Sequence, residues 1–275
     1  MTSFGSNTEL SCTAQQHETF KDIFDKIVSK NITYNIVVTG TIAAGKSLRC
    51  DLLKDLMRAV DKEHHVEYTS EYSDDDESLK HSSKTQPRAC IYPEYITHSD
   101  IGNLMLKRFH DGLITNITFQ HYIVDEWYNI FSRRPLGNMN LFERCPEDGV
   151  KIFCPNMEPY NKEAMRCRLE ELANTYHIPH FAPKAFNFTT IHSHDAIENI
   201  SEMLEIIKND VEKMEPGTVR HRIFGLMISA EESYQRLKKR SRKAEDALDF
   251  KIMKSYVDSY KELYDVLARD AIPEL

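Results

Sequence analysis

Eight consecutive residues constrain this chain more than any other feature: Gly40-Thr41-Ile42-Ala43-Ala44-Gly45-Lys46-Ser47. They follow a β-branched run, residues 34–39 (YNIVVT), of the kind a buried parallel strand needs. They precede residues 48–60, where Leu52, Leu53 and Leu56 share one face of a helix. A strand, a glycine-bracketed loop and a helix in that order make a cradle for phosphate. Small residues let successive N–H groups converge on an anion, and the helix N-terminus adds partial positive charge. The spacing G-x-x-x-x-G-K-[ST] assigns Gly40, Thr41, Ala43, Ala44 and Gly45 to the backbone cradle, Lys46 to the outer phosphates and Ser47 to a magnesium ion.

Further strands are expected at 89–92 (ACIY), 138–142 (NMNLF) and 222–228 (RIFGLMI). Helical periodicity covers 17–30, 48–60, 100–108, 117–131, 161–176, 197–214, 230–240 and 247–268. Strands alternating with helices predict an α/β fold of P-loop type, a parallel sheet with helices on both faces. Residues 177–194, with Pro179, Pro183 and several aromatics, follow neither period. Residues 1–33 read as an N-terminal extension carrying a helix, and 34–275 as the cradle-bearing domain. Two insertions interrupt that domain: a polar, acidic, Ser-rich stretch at 61–88 and an extended helical one at about 176–217.

Charge and composition exclude several classes. Thirty-five Lys and Arg against 43 Asp and Glu give a net charge of −8, which disfavours a nucleic-acid partner. No apolar run of about 18 residues is present for a membrane span, and the first residues lack the apolar core of a secretory signal. Six cysteines without a C-x-x-C pair fit reduced thiols in the cytoplasm.

The cradle by itself does not choose among GTPases, ATPases and small-molecule kinases. The base-reading N-K-x-D of GTPases is absent, and the third strand ends in Phe142-Glu143-Arg144 rather than in a long apolar run closed by Asp. A carboxylate at the end of the second strand, Glu94 in Tyr92-Pro93-Glu94, stands where open α/β sheets bind ligands and can act as general base toward a hydroxyl. Gln120 offers a donor and an acceptor together, matching a pyrimidine edge.

Taken in order, these islands resemble the deoxynucleoside kinase family, which includes the herpesvirus-type thymidine kinases. They are the cradle with its Ile-Ala-Ala, Tyr92-Pro93-Glu94, Thr118-Phe119-Gln120, Glu143-Arg144-Cys145, and the Arg-rich 235–245 (QRLKKRSRKAE). The resemblance implies transfer of the γ-phosphate of ATP to the 5′-hydroxyl of a deoxynucleoside, thymidine or deoxycytidine first. Glu94, Lys46 and Arg144 would be catalytic, with Mg²⁺ on Ser47 and Glu143. Arg236, Arg240 and Arg242 would form a lid over the phosphates. Gln120, Phe119, Phe109, Trp127, Glu143, Arg144 and Glu245 would line the nucleoside, Phe109 and Trp127 standing where the family carries a tyrosine and an arginine. A homodimer is also implied. The family's last strand would fall near residue 271, so the fifth strand is expected to be missing or rudimentary, with loose adenine recognition. A nucleoside monophosphate kinase on the same scaffold and a non-catalytic nucleotide-binding protein remain the alternatives.

Overall fold

The computed structural model describes residues 11–64, 89–92, 99–133, 136–153, 159–192, 195–240 and 248–273. Its centre is β1 (Thr33–Gly40), buried along nearly its whole length as a strand covered on both faces must be. On one side β1 pairs in parallel with β3 (Met139–Glu143), which in turn pairs with β2 (Ala89–Tyr92). On the other side it pairs with β5 (Val219–Leu226), and β4 (Asn187–Ile191) closes that edge. The result is an all-parallel five-stranded sheet in the order β2-β3-β1-β5-β4, the α/β architecture that the cradle and the strand–helix alternation predict.

The strand order sorts the helices. The steps β1 to β2 and β4 to β5 cross the sheet in the same direction, so right-handed crossovers put their helices on the same face. Those helices are α2 (Lys46–His64) and α7 (Ala196–Lys213), and α1 (Ala14–Ser29) packs against both. Phe20, Phe24, Leu53, Met203 and Ile207 from these helices meet Ile36, Val38, Leu141 and Phe224 from the strands. The opposite steps put α4 (Asn116–Arg133), α5 (Pro146–Phe153) and α6 (Pro159–Tyr176) on the other face, with α3 (Asp100–His110) beside α4. There Val37, Phe142 and Ile223 pack on Trp127, Phe131, Leu172 and on Tyr260 and Tyr264 of α9 (Phe250–Asp270). The remaining helix, α8 (Ala230–Arg240), follows β5.

Local signals explain the ends. Thr13 and Gln16 form a capping box on α1, and Asn31 takes the left-handed conformation, at φ 50°, that ends it. Asp195 and Asp249 cap α7 and α9 by accepting first-turn N–H groups.

Two points differ from expectation. Among the described residues no strand forms near 271, yet the sheet still has five strands: β4 supplies the fifth from residues 187–191, inside the stretch that matches no period and inside the 176–217 insertion. Short, at an edge and only half-buried in its middle, β4 shows no clean alternation to read. The helix α5 is likewise absent from the sequence expectations, although Pro146 followed by Glu147 and Asp148 is a helix-start signal. Most of the acidic stretch at 61–88 lies outside the described residues, and α2 runs on to His64.

The N-terminal end of the sheet holds two buried polar networks. Tyr34 donates to Asp210 Oδ2 at 2.6 Å, and Arg222 donates to both oxygens of Asp210 at 2.8 and 2.6 Å. Arg220 adds a contact to Oδ1 at 3.2 Å. On the opposite face Asn140, Asn35 and His221 sit in register across β3, β1 and β5. Asn140 accepts from Gly137 N at 2.8 Å, which turns its amide group to donate to Asn35 Oδ1 at 2.7 Å. Asn35 must therefore donate to His221 Nδ1, at 2.9 Å, so that nitrogen carries no proton. Burial first, then the nearby His180 and His177, push the His221 pKa down to about 4.

Candidate phosphate-binding site

At the C-terminal edge of the sheet β1 runs into the loop 40–45, and α2 begins at Lys46. Gly40 is required by space: a Cβ there would lie 2.2 Å from the carbonyl oxygen of Leu226 at the end of β5. Gly45 has φ +85°, and Ala43 holds a left-handed φ of 61° in the same loop. The loop is anchored from several directions. Thr41 N donates to Leu226 O at 3.2 Å, and Ser233 of α8 donates to Ile42 O. Arg236 reaches Ala43 O at 3.5 Å, and Arg49 reaches Gly45 O at 3.4 Å. Side-chain donors thus hold the carbonyls of Ile42, Ala43 and Gly45, while Thr41 N and Ala44 N are bonded to Leu226 O and Thr41 O at 3.2 Å each.

Lys46 is buried and donates to Gly40 O at 3.2 Å and Thr41 O at 3.1 Å. Ser47 donates to Glu143 Oε1 at 2.7 Å, and Glu143 is only 3% exposed at the end of β3. A hydroxyl and a carboxylate so paired fit a hard cation that keeps waters and phosphate oxygens as its other ligands, as magnesium does. Among the described residues no group of three or more His, Cys, Asp or Glu could hold a metal by itself. Such a cation would therefore share its coordination with a bound phosphate.

The next residue, Arg144, has φ 71°, a strained value for a side chain of its size. Its N–H donates to Val38 O at 3.0 Å, and its guanidinium donates to Gly40 O at 3.4 Å and to the hydroxyl of Tyr260. The turn thus aims a cation at the mouth of the loop.

Sequence reasoning passes over two residues here. Asp148, on the first turn of α5, is fully buried and accepts from Thr39 Oγ1 at 2.7 Å and from Cys145 N at 3.2 Å. Its other oxygen, Oδ1, has no hydrogen-bond partner among the described residues. Burial pushes its pKa up, while Arg144, the Thr39 bond, the Cys145 N–H and Lys46 pull the other way. Arg49 gives Asn199 Oδ1 two bonds, at 3.0 and 2.7 Å, tying α2 to α7 beside the loop. Burial and then the facing Arg236 lower its pKa, against Asp195. The Pro-Glu-Asp start of α5 could have pointed to Asp148; nothing in the sequence singles out Arg49.

The structure brings the cradle, Lys46, Ser47, Glu143, Arg144 and Arg236 together. Arg240 is exposed at the last residue of α8. Glu94, Arg242 and Glu245 lie outside the described residues. Gln120 is buried on the first turn of α4 and its amide donates to Asn116 Oδ1 at 3.4 Å. Phe109 stacks on Phe119 with ring centroids 5.2 Å apart. Trp127 packs in the core, stacked on Phe131 at 5.4 Å, and Phe131 leads through Tyr92 to Phe142 beside Glu143. The buried thiols are inert by environment: burial first raises both Cys50 and Cys145 well above the ordinary range.

Sheet order, loop and lysine together define a P-loop α/β fold with its candidate phosphate site at the carboxyl edge of the sheet. The structure is similar to that of a deoxyadenosine kinase from M. mycoides with bound dCTP, at a TM-score of 0.44 and 13% identity, covering 86% of this chain and 89% of that one. Similar structures of the deoxyadenosine kinase from M. mycoides carry bound dATP (TM-score 0.38, 13% identity, 86% and 89% covered) or products (0.40, 14%, 87% and 89%). No protein-family model matches the chain, and no curated protein matches its sequence.

Proposed function

We propose that the chain is a deoxynucleoside kinase, transferring the γ-phosphate of Mg-ATP to the 5′-hydroxyl of a pyrimidine deoxynucleoside, thymidine or deoxycytidine. The observation that carries this reading is the meeting of Ser47, Glu143 and Arg144 at the mouth of the phosphate loop. Phosphoryl transfer depends on positioning and charge neutralisation more than on covalent chemistry, and this cluster offers both.

In this reading Lys46 leaves the carbonyls of Gly40 and Thr41 for phosphate oxygens, and the loop amides take the rest. Ser47 and Glu143 would hold magnesium, which supplies charge neutralisation on the phosphates. Arg144 faces the transferred group, and Arg236, Arg240 and Arg242 form the lid. Glu94 accepts the proton of the attacking hydroxyl. Gln120 reads the base, Phe119, Phe109 and Trp127 flank it, and Glu245 completes the nucleoside side. The catalytic unit spans 34–275, with 1–33 as an extension and the two insertions within it. It works in the cytoplasm as a homodimer, without nucleic-acid or membrane partners. No helix of the described residues is long and apolar enough to cross a membrane.

The decisive experiment supplies radiolabelled ATP, magnesium and each of the four deoxynucleosides, with dTMP and dCMP in parallel. A 5′-monophosphate from thymidine or deoxycytidine is expected. Diphosphates from dTMP or dCMP alone would instead indicate a monophosphate kinase, and no product from any acceptor would refute catalysis. Glu94→Gln should abolish turnover and leave nucleotide affinity intact.

A further inference from the structure

Asp148 is the buried carboxylate beside the phosphate loop that the proposed function does not use. Its first oxygen binds Thr39, the residue before Gly40, and the N–H of Cys145, the residue after Arg144. One carboxylate therefore fastens the end of β1 to the turn that closes β3. Its second oxygen is buried and without a hydrogen-bond partner among the described residues, while Arg144 and Lys46 both act on its charge. A further polar neighbour from the packed elements is the hydroxyl of Tyr264 on α9, which donates to Leu226 O at 3.1 Å. A buried, half-satisfied carboxylate is a liability for stability alone, and such groups call for another explanation.

We infer that Asp148 is a positioning residue of the phosphate site: through Thr39 and Cys145 it fixes the turn that aims Arg144, and its second oxygen is the resting counter-charge of Lys46 and Arg144. The role in turnover rests on the kinase reading; the counter-charge does not. When a polyphosphate enters, it takes over the neutralisation of both cations. The carboxylate then weakens polyphosphate binding slightly by repulsion while keeping Arg144 in its strained turn.

Asp148→Asn separates these parts. The amide oxygen can still accept from Thr39 and Cys145, but the negative charge that acts on Arg144 and Lys46 is gone. Calorimetric titration of the full chain with inorganic tripolyphosphate should then show binding about three- to tenfold tighter than wild type, the sense expected when a like charge is removed from a low-dielectric site. Turnover should stay within about threefold of wild type, because the amide oxygen keeps the bonds that hold the turn of Arg144. Thr39→Val, which breaks the bond from the end of β1 to Asp148, should lower turnover by about tenfold or more with unchanged tripolyphosphate affinity. A merely structural role would lower affinity and turnover together, in step with the melting temperature. Unchanged or weaker tripolyphosphate binding in folded Asp148→Asn overturns the inference. If that variant does not fold, Asp148→Ser, which also removes the charge and keeps an acceptor, is read by the same criterion. Should the wild-type chain bind tripolyphosphate yet phosphorylate no nucleoside, the kinase reading falls and the affinity comparison still decides the role of Asp148.

Discussion

Two buried aspartates mark opposite ends of the same sheet and are treated in opposite ways. Asp210, 6% exposed at the N-terminal end, has both oxygens occupied by Tyr34, Arg220 and Arg222. Asp148, 0% exposed at the C-terminal end, leaves one oxygen without a partner among the described residues. The same contrast runs through their surroundings. Near Asp210 the guanidinium of Arg222 also finds Thr189, at 3.0 Å. Near Asp148 the loop keeps Thr41 Oγ1 unpartnered and Ala43 and Arg144 in left-handed backbone. At the first end the carboxylate is fully paired, although Asn187 Oδ1 nearby is buried without a partner among the described residues; at the other the carboxylate itself is left half-paired beside the loop. On the proposed reading, stability and binding fall to different ends of shared strands.

The strongest way to break the comparison is at the satisfied end. Asp210→Ala strands Arg222, which is 2% exposed, and should destabilise the fold by about 3–5 kcal/mol. Urea denaturation measures this, and the nucleotide affinity of the protein that remains folded should be unchanged. At the other end Lys46→Ala should cost roughly 10²–10³-fold in turnover, the scale of losing one preorganised charged donor. Its denaturation midpoint should stay close to wild type; a large drop would show that the lysine's bonds to Gly40 and Thr41 serve the fold instead.

A smaller and graded effect is expected from His221. Its folded pKa, about 4, lies below the ordinary value of 6.5, so folding favours the neutral ring. The stabilisation is complete above pH 6.5 and is lost as pH falls from there toward 4, by on the order of 3 kcal/mol. Protonation at Nδ1 would oppose the donating amide of Asn35. Denaturation curves at several pH values should show this slope, and His221→Gln should flatten it. The phosphate site, lying at the far end of β5, should keep its relative affinity over that range.

The cradle is legible in the sequence because its chemistry is local: each residue of Gly40–Ser47 acts through its own backbone or through a side chain fixed by the adjacent helix. The pairing of Ser47 with Glu143 is nearly as legible, since adjacent parallel strands bring the ends of β1 and β3 together. Trp127 is less so. An aromatic residue on a helical face fits a ligand wall as well as a core, and here it stacks in the core on Phe131. Asp148 and Arg49 escape because their partners, Thr39 and Asn199, are remote in sequence and joined only by packing. The strand β4 escapes for a different reason. Asn187-Phe188-Thr189-Thr190-Ile191 is an edge strand whose one-sided pairing needs no alternation, and Pro179 and Pro183 obscure its approach.

The placement of β4 has a consequence for biosynthesis. As the chain leaves a ribosome, every strand of this sheet is available once Leu226 has emerged, well before α9. The nascent sheet can therefore close during translation, without waiting for a late strand to find an open edge. What arrives afterwards is a seal: Ile272 donates to Phe186 O at 2.7 Å, Lys184 reaches Ala271 O at 2.9 Å, and Tyr264 comes to rest on the carbonyl of Leu226. Shortening the chain before α9 would unseat those tyrosines from beneath the loop while leaving the sheet's strand count intact.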